Sequence, residues 1–486
     1  MKKLIILCFD GLSWNIINKL NKAGITNNIE RLMELGSYGS MKADFPLISP
    51  RIWTSIHTGY KANKHGILDF YFTPRDIKKP SMWDYLHKEG FRVGVYRPLI
   101  IPKTIKNTPF FIPGFLSPQI NASPQKYQFI KDLDEQLRAD SKGLSVLITL
   151  FKTFLNLFKS NFSLSKLLKI LLFTVKYISS RHKKSSLFYL KEIEFLIHSS
   201  FYLNLIKRHR PEFSIFYENS CDSISHQFWN EWRDKTDLSF AIPRIYSEID
   251  KYIGKVYEFA MKNGYSLLIL SDHGFSVNKD LKKHGYLRTI KITGLLSALD
   301  LEDHLFGIQL DNFAYFRKKP TSQKSSEFFR DMFEAVKFKD KQFFSVEKYK
   351  GNFIITVNIE VVPLLKPEGI IKISDKEEVT VEEIIEFNSN RFGAHSSKNG
   401  VFMLCGENIR NKKIKEVKPY DILPTLFAHL GVPIPKQLDG KVVKNIFSKK
   451  PKPQYYDYTE DAEEGIEGKT KREKETIKKH LKSLEI

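Results

Sequence analysis

Cysteine is scarce in this sequence. Three cysteines, Cys8, Cys221 and Cys405, occur in 486 residues, and each lies in an apolar or motif context. Their spacing forms no paired pattern, which argues against a small fold held together by disulfides. Unpaired thiols are typical of a reducing compartment, so we expect a cytoplasmic protein. If the basic segment 141–191 docks on a membrane, the protein is peripheral to that membrane.

Long apolar runs are also missing. No stretch reaches the roughly 18 to 20 uncharged apolar residues that a membrane-spanning helix needs. The N-terminus imitates a signal peptide, because Lys2 and Lys3 precede the apolar run Leu4–Phe9. That run is too short for a signal sequence and no small-residue cleavage site follows it. A buried first β-strand explains it better.

Acidic residues are outnumbered by basic ones. The sequence has 77 lysines and arginines against 55 aspartates and glutamates, a formal net charge of +22. Two explanations remain open: a lysine-rich surface, or an anionic partner such as a nucleic acid, a phosphorylated substrate or an acidic membrane face. The apolar content of 42% is that of a globular protein, and the length allows one large core or two to three ordinary ones.

The segment 141–191 contains no aspartate or glutamate. Lysines recur within it among leucine, phenylalanine and isoleucine, at positions 152, 159, 166, 169 and 176. These spacings place the lysines on one helical face and predict a basic amphipathic stretch of two helices, broken near 160–165. We expect an inserted helical cap with a solvated lysine face. Docking on an anionic membrane surface and contact with an anionic polymer or partner are the alternatives.

Carboxylate and imidazole side chains follow three apolar runs. Leu4–Phe9, Phe213–Glu218 and Tyr265–Leu270 have the continuous apolar pattern of central parallel strands. They are followed by Asp10, by Asp222 with His226 four residues later, and by Asp272 with His273. Ligand sites of open α/β sheets lie at the carboxyl edge of the strands, so we expect these side chains to share one site.

Buried carboxylates at strand ends need a counter-charge, because an unpaired ionised group there is costly. A divalent metal ion supplies that charge, and Asp222 and His226 lie on one face of a helical turn where both can bind one ion. Taken singly, the residues allow simpler roles: Asp10 as a helix N-cap, His226 as a surface histidine and His395 as a loop residue. Their shared position at or beyond strand ends favours the metal site.

A serine lies where a nucleophile is expected. The run Pro46–Gly59 is typical of a strand end, a sharp turn and a helix start, with Ser49 at the N-cap and Pro50 at the first helical position. The free N–H groups and the dipole of a helix N-terminus favour negative charge. This suits a hydroxyl that loses its proton and accepts a phosphoryl group. A simple role at the helix start is the alternative.

Seven short motifs are spread over the chain. In order, they are Cys8-Phe9-Asp10-Gly11; Ile48-Ser49-Pro50 with Trp53-Thr54-Ser55 and Thr58-Gly59; His65-Gly66-Ile67; Asp222 with His226; Ser271-Asp272-His273-Gly274; Gly393-Ala394-His395; and Asp421-Ile422-Leu423-Pro424-Thr425-Leu426 with Leu430–Pro435 and Asp439-Gly440. In this order they resemble the type I phosphodiesterase and nucleotide pyrophosphatase branch of the alkaline phosphatase superfamily. The resemblance covers roughly residues 1–120, 210–290 and 385–447, and leaves out the basic insertion.

The resemblance implies an α/β, alkaline phosphatase-like three-layer fold with a mostly parallel central sheet plus helical and α+β insertions. It implies a two-metal site, in which one ion is bound by Asp10, Ser49, Asp272 and His273 and the other by Asp222, His226 and His395. Two ions on the order of 4 Å apart would lower the pKa of the serine hydroxyl and stabilise an in-line displacement through a phosphoseryl intermediate. Mixed histidine and aspartate ligands suit zinc, with manganese as the alternative.

Two residues depart from the pattern of this branch. Relatives usually have threonine at the nucleophile position, where this chain has Ser49, whose chemistry is the same. Arg51 occupies a position where small residues or proline are common. Its guanidinium is either a catalytic clamp on the non-bridging phosphate oxygens or a charge on the helix surface.

We expect one catalytic domain over residues 1–447 that contains two insertions. The first, 125–200, is the basic helical insertion. The second, 290–385, mixes strand-like and charged helical runs and predicts an α+β cap lobe. Residues 448–486 are rich in lysine and glutamate and predict a charged tail with a surface helix over 459–484.

The sequence therefore predicts a metal-dependent phosphoesterase that cleaves a phosphodiester or pyrophosphate in preference to a monoester. Its partner is a small-molecule phosphate ester, and we expect no specific nucleic-acid binding. The alternatives are a phosphotransferase or mutase of the same superfamily, and a non-catalytic membrane-surface scaffold that keeps the fold. A scaffold has no need of seven metal ligands, which favours the enzyme.

Overall fold

Three buried strands lie side by side at the centre of an eight-stranded sheet in the computed structural model. The structure describes residues 2–458 except 74–75, 140–143, 161, 181–182, 278–286, 311–312, 350, 359, 375–376 and 389–392. Lys3–Phe9 lies between Phe213–Glu218 and Tyr265–Leu270 and runs parallel to both. Because the three strands share one direction, their carboxyl ends meet at the same edge of the sheet.

The whole sheet is mostly parallel. Its strand order is Lys412–Val417, Ser37–Met41, Gly400–Cys405, Tyr265–Leu270, Lys3–Phe9, Phe213–Glu218, Val93–Tyr96 and Phe110–Ile112. Among these eight strands, Gly400–Cys405 alone runs antiparallel to its neighbours. The mostly parallel central sheet predicted from the sequence is confirmed.

Helices cover both faces of this sheet. On one face, Leu4 and Ile6 of the first strand share a core with the helix residue Trp53. On the other face, the ring of Phe216 lies 5.4 Å from the ring of Tyr252, which comes from a long helix. Side chains of alternate residues point to opposite faces of a strand, so the continuous apolar runs are explained by burial on both sides.

The chain divides into two units. The first contains residues up to Ser276 and from His395 onward. Its helices are Trp14–Asn21, Asn27–Leu35, Ser49–Thr58, Ala62–His65, Met82–Lys88, Gln128–Ala139, Leu144–Lys159, Leu164–Ser179, Lys183–His209, Ser220–Asp234, Ala241–Lys262 and Ile422–Leu430. Further short strands of the chain are Gly274–Val277, Gly393–Ser396, Ile434–Pro435 and Tyr455–Tyr456.

The second unit, Val277–Ala394, has its own apolar core and mixes strands with short helices. One sheet has the order Phe344–Tyr349, Asn352–Val357, Phe313–Lys318 and Leu305–Leu310; another has the order Lys341–Gln342, Lys337–Phe338, Ile370–Lys372 and Glu378–Thr380. Leu287–Ile290 pairs with Ile385–Asn388, and the helices are Ile292–Ala298, Ser326–Glu334 and Val381–Ile384. The predicted 290–385 lobe falls within this unit.

The basic segment forms two helices, as predicted. They are Leu144–Lys159 and Leu164–Ser179, so the break lies within the predicted 160–165. None of the helices in the described ranges combines the length and the apolarity that crossing a membrane requires. The predicted C-terminal helix over 459–484 lies outside the described residues.

Candidate active site at the carboxyl edge of the sheet

The first strand presents Asp10 at the sheet edge through a tight turn at Gly11. The φ of Gly11 is +68°, in the left-handed region. A Cβ at this position would lie 2.8 Å from the ring of Phe275 and 3.0 Å from the Cα of Asp222, so glycine is required. The N–H of Gly11 donates a hydrogen bond to Asp272 Oδ1 at 3.3 Å. The turn therefore connects the ends of two central strands.

The hydroxyl of Ser49 faces two of the predicted metal ligands. Its Oγ donates a hydrogen bond to Asp10 Oδ1 at 3.3 Å and lies 3.3 Å from Nε2 of His273. Ser49 is half-buried, whereas Asp10 and His273 are buried. The oxygen of the predicted nucleophile thus lies beside a carboxylate and an imidazole at a helix N-terminus.

The prediction that Ser49 is the N-cap is wrong by one position. The helix is Ser49–Thr58 and Ile48 is its N-cap, because the carbonyl of Ile48 already accepts the N–H of Ile52 at 3.1 Å. Pro50 is accordingly the second residue of the helix rather than the first. From the first turn of the helix, the Ser49 hydroxyl is directed at the strand ends, where it bonds to Asp10.

Asp10 is held in place through one of its two oxygens. Its Oδ2 accepts hydrogen bonds from Nε1 of Trp53 at 3.1 Å and from the hydroxyl of Tyr217 at 2.6 Å. No role was predicted for Trp53 or Tyr217. A phenol inside an otherwise apolar strand was the available signal, since a buried hydroxyl requires a hydrogen-bond partner. The two donors leave Oδ1 to Ser49 and the imidazole of His273.

Two carboxylates surround the buried imidazole of His273. Its Nε2 lies 3.4 Å from Asp10 Oδ1 and 3.5 Å from Asp272 Oδ2, while its Nδ1 lies 3.2 Å from the carbonyl of Gly274 and must donate to it. Burial alone lowers the pKa of this imidazole, but Asp272 and Asp10 raise it to about 10. Burial and the charge of Asp10 raise the pKa of Asp272 to about 7. Both shifts indicate an excess of negative charge.

Asp222, His226 and His395 form a second cluster. The Nε2 atoms of the two histidines lie 2.9 Å apart, and each lies 3.5 Å from Asp222 Oδ1. Nδ1 of His395 lies 3.2 Å from the carbonyl of Leu47 and donates to it, which leaves Nε2 as the nitrogen that faces Asp222 and His226. Burial favours the neutral form of Asp222, but His226 and His395 hold its pKa well below the usual range.

Asp222 faces both clusters. Its Oδ1 is 3.8 Å from Nε2 of His273, whose ring stacks on the ring of His395 with the centroids 3.8 Å apart. Ligand atoms of Asp10, Asp222 and His273 lie within 4.8 Å of one another, as do those of Asp222, His226 and His395. Together with Ser49 and Asp272, the structure brings all seven predicted ligands into one site.

The donor set of this site suits divalent cations. Oδ1 of Asp222 and Oδ2 of Asp272 are buried and accept no hydrogen bond of normal geometry from the described residues. Buried polar atoms normally have a partner, and a divalent cation would be a suitable partner for both carboxylate oxygens. Carboxylate oxygens and imidazole nitrogens bind both zinc and manganese. These residues form a possible metal-binding cluster.

Arg51 binds the turn that precedes its own helix. Its Nη1 donates to the carbonyls of Asp44 at 3.1 Å and Pro46 at 2.9 Å. To bind phosphate oxygens, the guanidinium would have to direct its other N–H groups toward Ser49. Alternatively, it would have to give up one of these two carbonyl bonds for a bond to phosphate. The clamp stays a prediction.

A buried charge network, which was not predicted from the sequence, supports the helix that carries Asp222. Arg97 is 1% exposed and binds Asp134 through Nε at 2.5 Å and Glu218 through Nη1 at 3.1 Å. Glu218 also accepts the N–H of Ser220 at 3.0 Å, at the first residue of that helix. Because Glu218 ends a central strand, the network fixes the strand-to-helix turn immediately before Asp222.

Comparisons with known proteins identify the family and the fold. The model of the family described as type I phosphodiesterase / nucleotide pyrophosphatase matches residues 4–352. A solved structure, that of human ectonucleotide pyrophosphatase/phosphodiesterase 5, is similar over 92% of this chain and 100% of its own, with a TM-score of 0.50 and 15% identity. At that identity the likeness shows the fold, and it confirms the predicted alkaline phosphatase-like class. No curated protein matches the sequence.

Proposed function

The chain belongs to the type I phosphodiesterase / nucleotide pyrophosphatase family, and from that premise we propose that Ser49 is the nucleophile of a two-metal phosphodiesterase. Family membership makes the protein a hydrolase of phosphate esters. The choice of a diester or pyrophosphate as substrate, the two metal ions and the role of each residue are parts of the proposal.

One observation carries the proposal: the Ser49 hydroxyl lies 3.3 Å from both Asp10 Oδ1 and His273 Nε2. Ser49 is the first residue of its helix and Ile48 is the N-cap, so the Ser49 hydroxyl is not in the capping position. The hydroxyl also lies at a positive helix end, which favours the alkoxide and the negative phosphoryl group. Position, partners and electrostatics therefore agree.

The chain's own residues perform two displacements. Oδ1 of Asp10 orients the Ser49 hydroxyl, which loses its proton to solvent; Oγ then attacks phosphorus while the bond to the leaving group breaks in line. The leaving oxygen departs with the bonding electron pair and takes a proton from solvent. Water next attacks the same phosphorus, breaks its bond to Oγ and restores the serine hydroxyl. A diester substrate leaves one ester group on the phosphoseryl intermediate.

The residues that would hold the ions follow from the two clusters. Asp10, Ser49, Asp272 and His273 are proposed for one ion and Asp222, His226 and His395 for the other. Bound divalent ions would supply Lewis acidity that lowers the pKa of the serine hydroxyl and neutralises charge on phosphate oxygens. Zinc is proposed because half of the non-serine ligands are imidazoles, with manganese as the alternative.

Comparing a diester with a monoester as substrates tests the proposal. Purified protein supplied with zinc or manganese is expected to hydrolyse bis(4-nitrophenyl) phosphate with a kcat/KM at least roughly tenfold above that for 4-nitrophenyl phosphate, a difference of about 1.4 kcal/mol in transition-state binding. Release of nitrophenolate is the measurement, and an added alcohol shows whether the phosphoryl group is transferred. Preference for the monoester contradicts a diesterase, and quantitative phosphorylation of the alcohol indicates a transferase.

A further inference from the structure

The first helix of the basic segment, Leu144–Lys159, has two apolar faces. One face, with Val146, Leu150 and Leu157, is buried in the protein. The other is directed outward, and its side chains are between 41% and 72% exposed: Leu144, Ile148, Phe151, Leu155 and Phe158. Their spacing of four and three residues places them along one stripe of the helix.

The second helix, Leu164–Ser179, repeats this arrangement. Leu167, Ile170 and Phe173 are buried. Six outward side chains are between 52% and 67% exposed: Leu164, Leu168, Leu171, Leu172, Val175 and Ile178. Of the eighteen large hydrophobic side chains that are exposed in the described residues, eleven lie on these two helices. Such a concentration marks an interaction surface, because soluble monomers rarely expose large apolar patches.

The charge beside the first stripe is positive. Lys152 and Lys159 are exposed and lie one position from Phe151 and Phe158, so both ammonium groups flank the first stripe. The segment 141–191 contributes no carboxylate. Lysines next to an outward apolar stripe can keep their ammonium groups in water or on phosphates while their stems cover apolar surface. The surface formed by the two stripes and these lysines, called here the docking face, is apolar and cationic.

We propose that the docking face binds the surface of an anionic lipid bilayer. The apolar stripes insert among the acyl chains at the interface, and the lysines contact lipid phosphates. An anionic polymer would use the lysines but leave eleven apolar side chains in water. A second copy of the chain would bring lysine-bearing faces together without a carboxylate from either segment. The inference does not depend on the phosphoesterase reaction.

The test is co-sedimentation of the full chain with vesicles. Vesicles of phosphatidylcholine mixed with phosphatidylglycerol are compared with vesicles of phosphatidylcholine alone. We expect binding to the anionic vesicles that is at least roughly tenfold stronger than binding to the neutral ones, because each lysine at an anionic surface contributes about fivefold.

Two sets of variants separate the apolar and charged contributions. The triple variant Phe151→Gln, Phe158→Gln and Leu172→Gln is expected to lose roughly tenfold or more of the binding. The matched control alters three exposed apolar residues elsewhere and keeps full binding: Leu35→Gln, Met261→Gln and Ile370→Gln. Lys152→Gln with Lys159→Gln is expected to lose about fivefold for each lysine, while Lys22→Gln with Lys262→Gln changes binding little.

Circular dichroism and thermal melting establish that each variant is folded, and the altered side chains are outward, so unfolding is not expected. Vesicle binding that is absent in the wild type, or equal in the triple variant and its control, overturns the proposal. Binding to heparin without binding to vesicles assigns the docking face to an anionic polymer instead. A dimer that the triple variant dissociates, without vesicle binding, assigns it to a second copy.

Discussion

Replacing Ser49 by alanine is expected to lower kcat for bis(4-nitrophenyl) phosphate by roughly a thousandfold or more, because the attacking oxygen is removed. The metal content is expected to stay nearly intact, since Asp10, Asp272 and His273 remain to hold the ion next to it. Steady-state kinetics and elemental analysis of the same dialysed sample measure the two effects together. If turnover is lost while the metal stays bound, Ser49 acts as the nucleophile. If turnover and metal are lost together, Ser49 acts mainly as a metal ligand.

The matched control keeps the hydroxyl. Ser49→Thr is expected to retain activity within about tenfold of the wild type, because threonine is the usual nucleophile in the branch that the sequence resembles. A second control, Ser55→Ala, removes a hydroxyl from the same helix that bonds to His65 and to the carbonyl of Arg51 instead of the site. Full turnover in Ser49→Ala would remove this serine from the mechanism.

Replacing Asp222 by asparagine is expected to have the second large effect. Asp222 Oδ1 lies 3.5 Å from Nε2 of both His226 and His395 and 3.8 Å from Nε2 of His273, so one charge serves both clusters. The asparagine side chain has nearly the same shape without the charge. We expect metal affinity to fall by at least roughly a hundredfold. This is more than the loss expected for a residue that only supports a metal ligand through a hydrogen bond. Diesterase activity is expected to fall with the metal affinity.

Metal titration followed by elemental analysis gives the affinity, and the activity regained at high metal concentration shows whether the loss is one of binding. Asp237→Asn is the matched control, because Asp237 is exposed beyond the end of the same helix that carries Asp222. Unchanged affinity in Asp222→Asn would exclude this carboxylate as a ligand. Equal losses in both variants would attribute the effect to net charge rather than to the site.

The central strands could be predicted from the sequence because their signal is local. Phe213–Glu218 and Tyr265–Leu270 have the bounds that were predicted, since each is a mainly apolar run: Glu218 closes the first and Ser271 follows the second. The carboxyl ends of parallel neighbours share one edge, which is why residues as distant as Asp10, Asp222 and Asp272 could be assigned to one site. Pattern and topology together were sufficient for this part of the site.

The contacts that complete the site could not be predicted, because they join residues far apart in the chain. Tyr217 bonds to Asp10 across 207 positions, and Arg97 bonds to Glu218 across 121. No local period links such partners, so their side chains are indistinguishable in the sequence from ordinary core or surface residues. The helix start at Ser49 was misplaced by one residue for a related reason: an N-cap depends on the backbone conformation, here that of Ile48.

The basic insertion could also be predicted only in part. Its helical period predicted two amphipathic helices, and they are present. We expected lysines to dominate the exposed face, whereas the outward stripes consist of leucine, isoleucine, valine and phenylalanine. A helix that is apolar on two sides does not reveal in its sequence which side packs inward, because that choice depends on the elements it contacts.

Anomalous diffraction at the zinc absorption edge, from crystals of the zinc-loaded protein, tests most directly whether the seven side chains bind two ions beside one hydroxyl. Two peaks are expected, one in contact with Asp222, His226 and His395, and one in contact with Asp10, Ser49, Asp272 and His273. Peaks at other positions, or a zinc-loaded crystal without density between these side chains, would contradict the two-metal site and with it the assignment of Ser49.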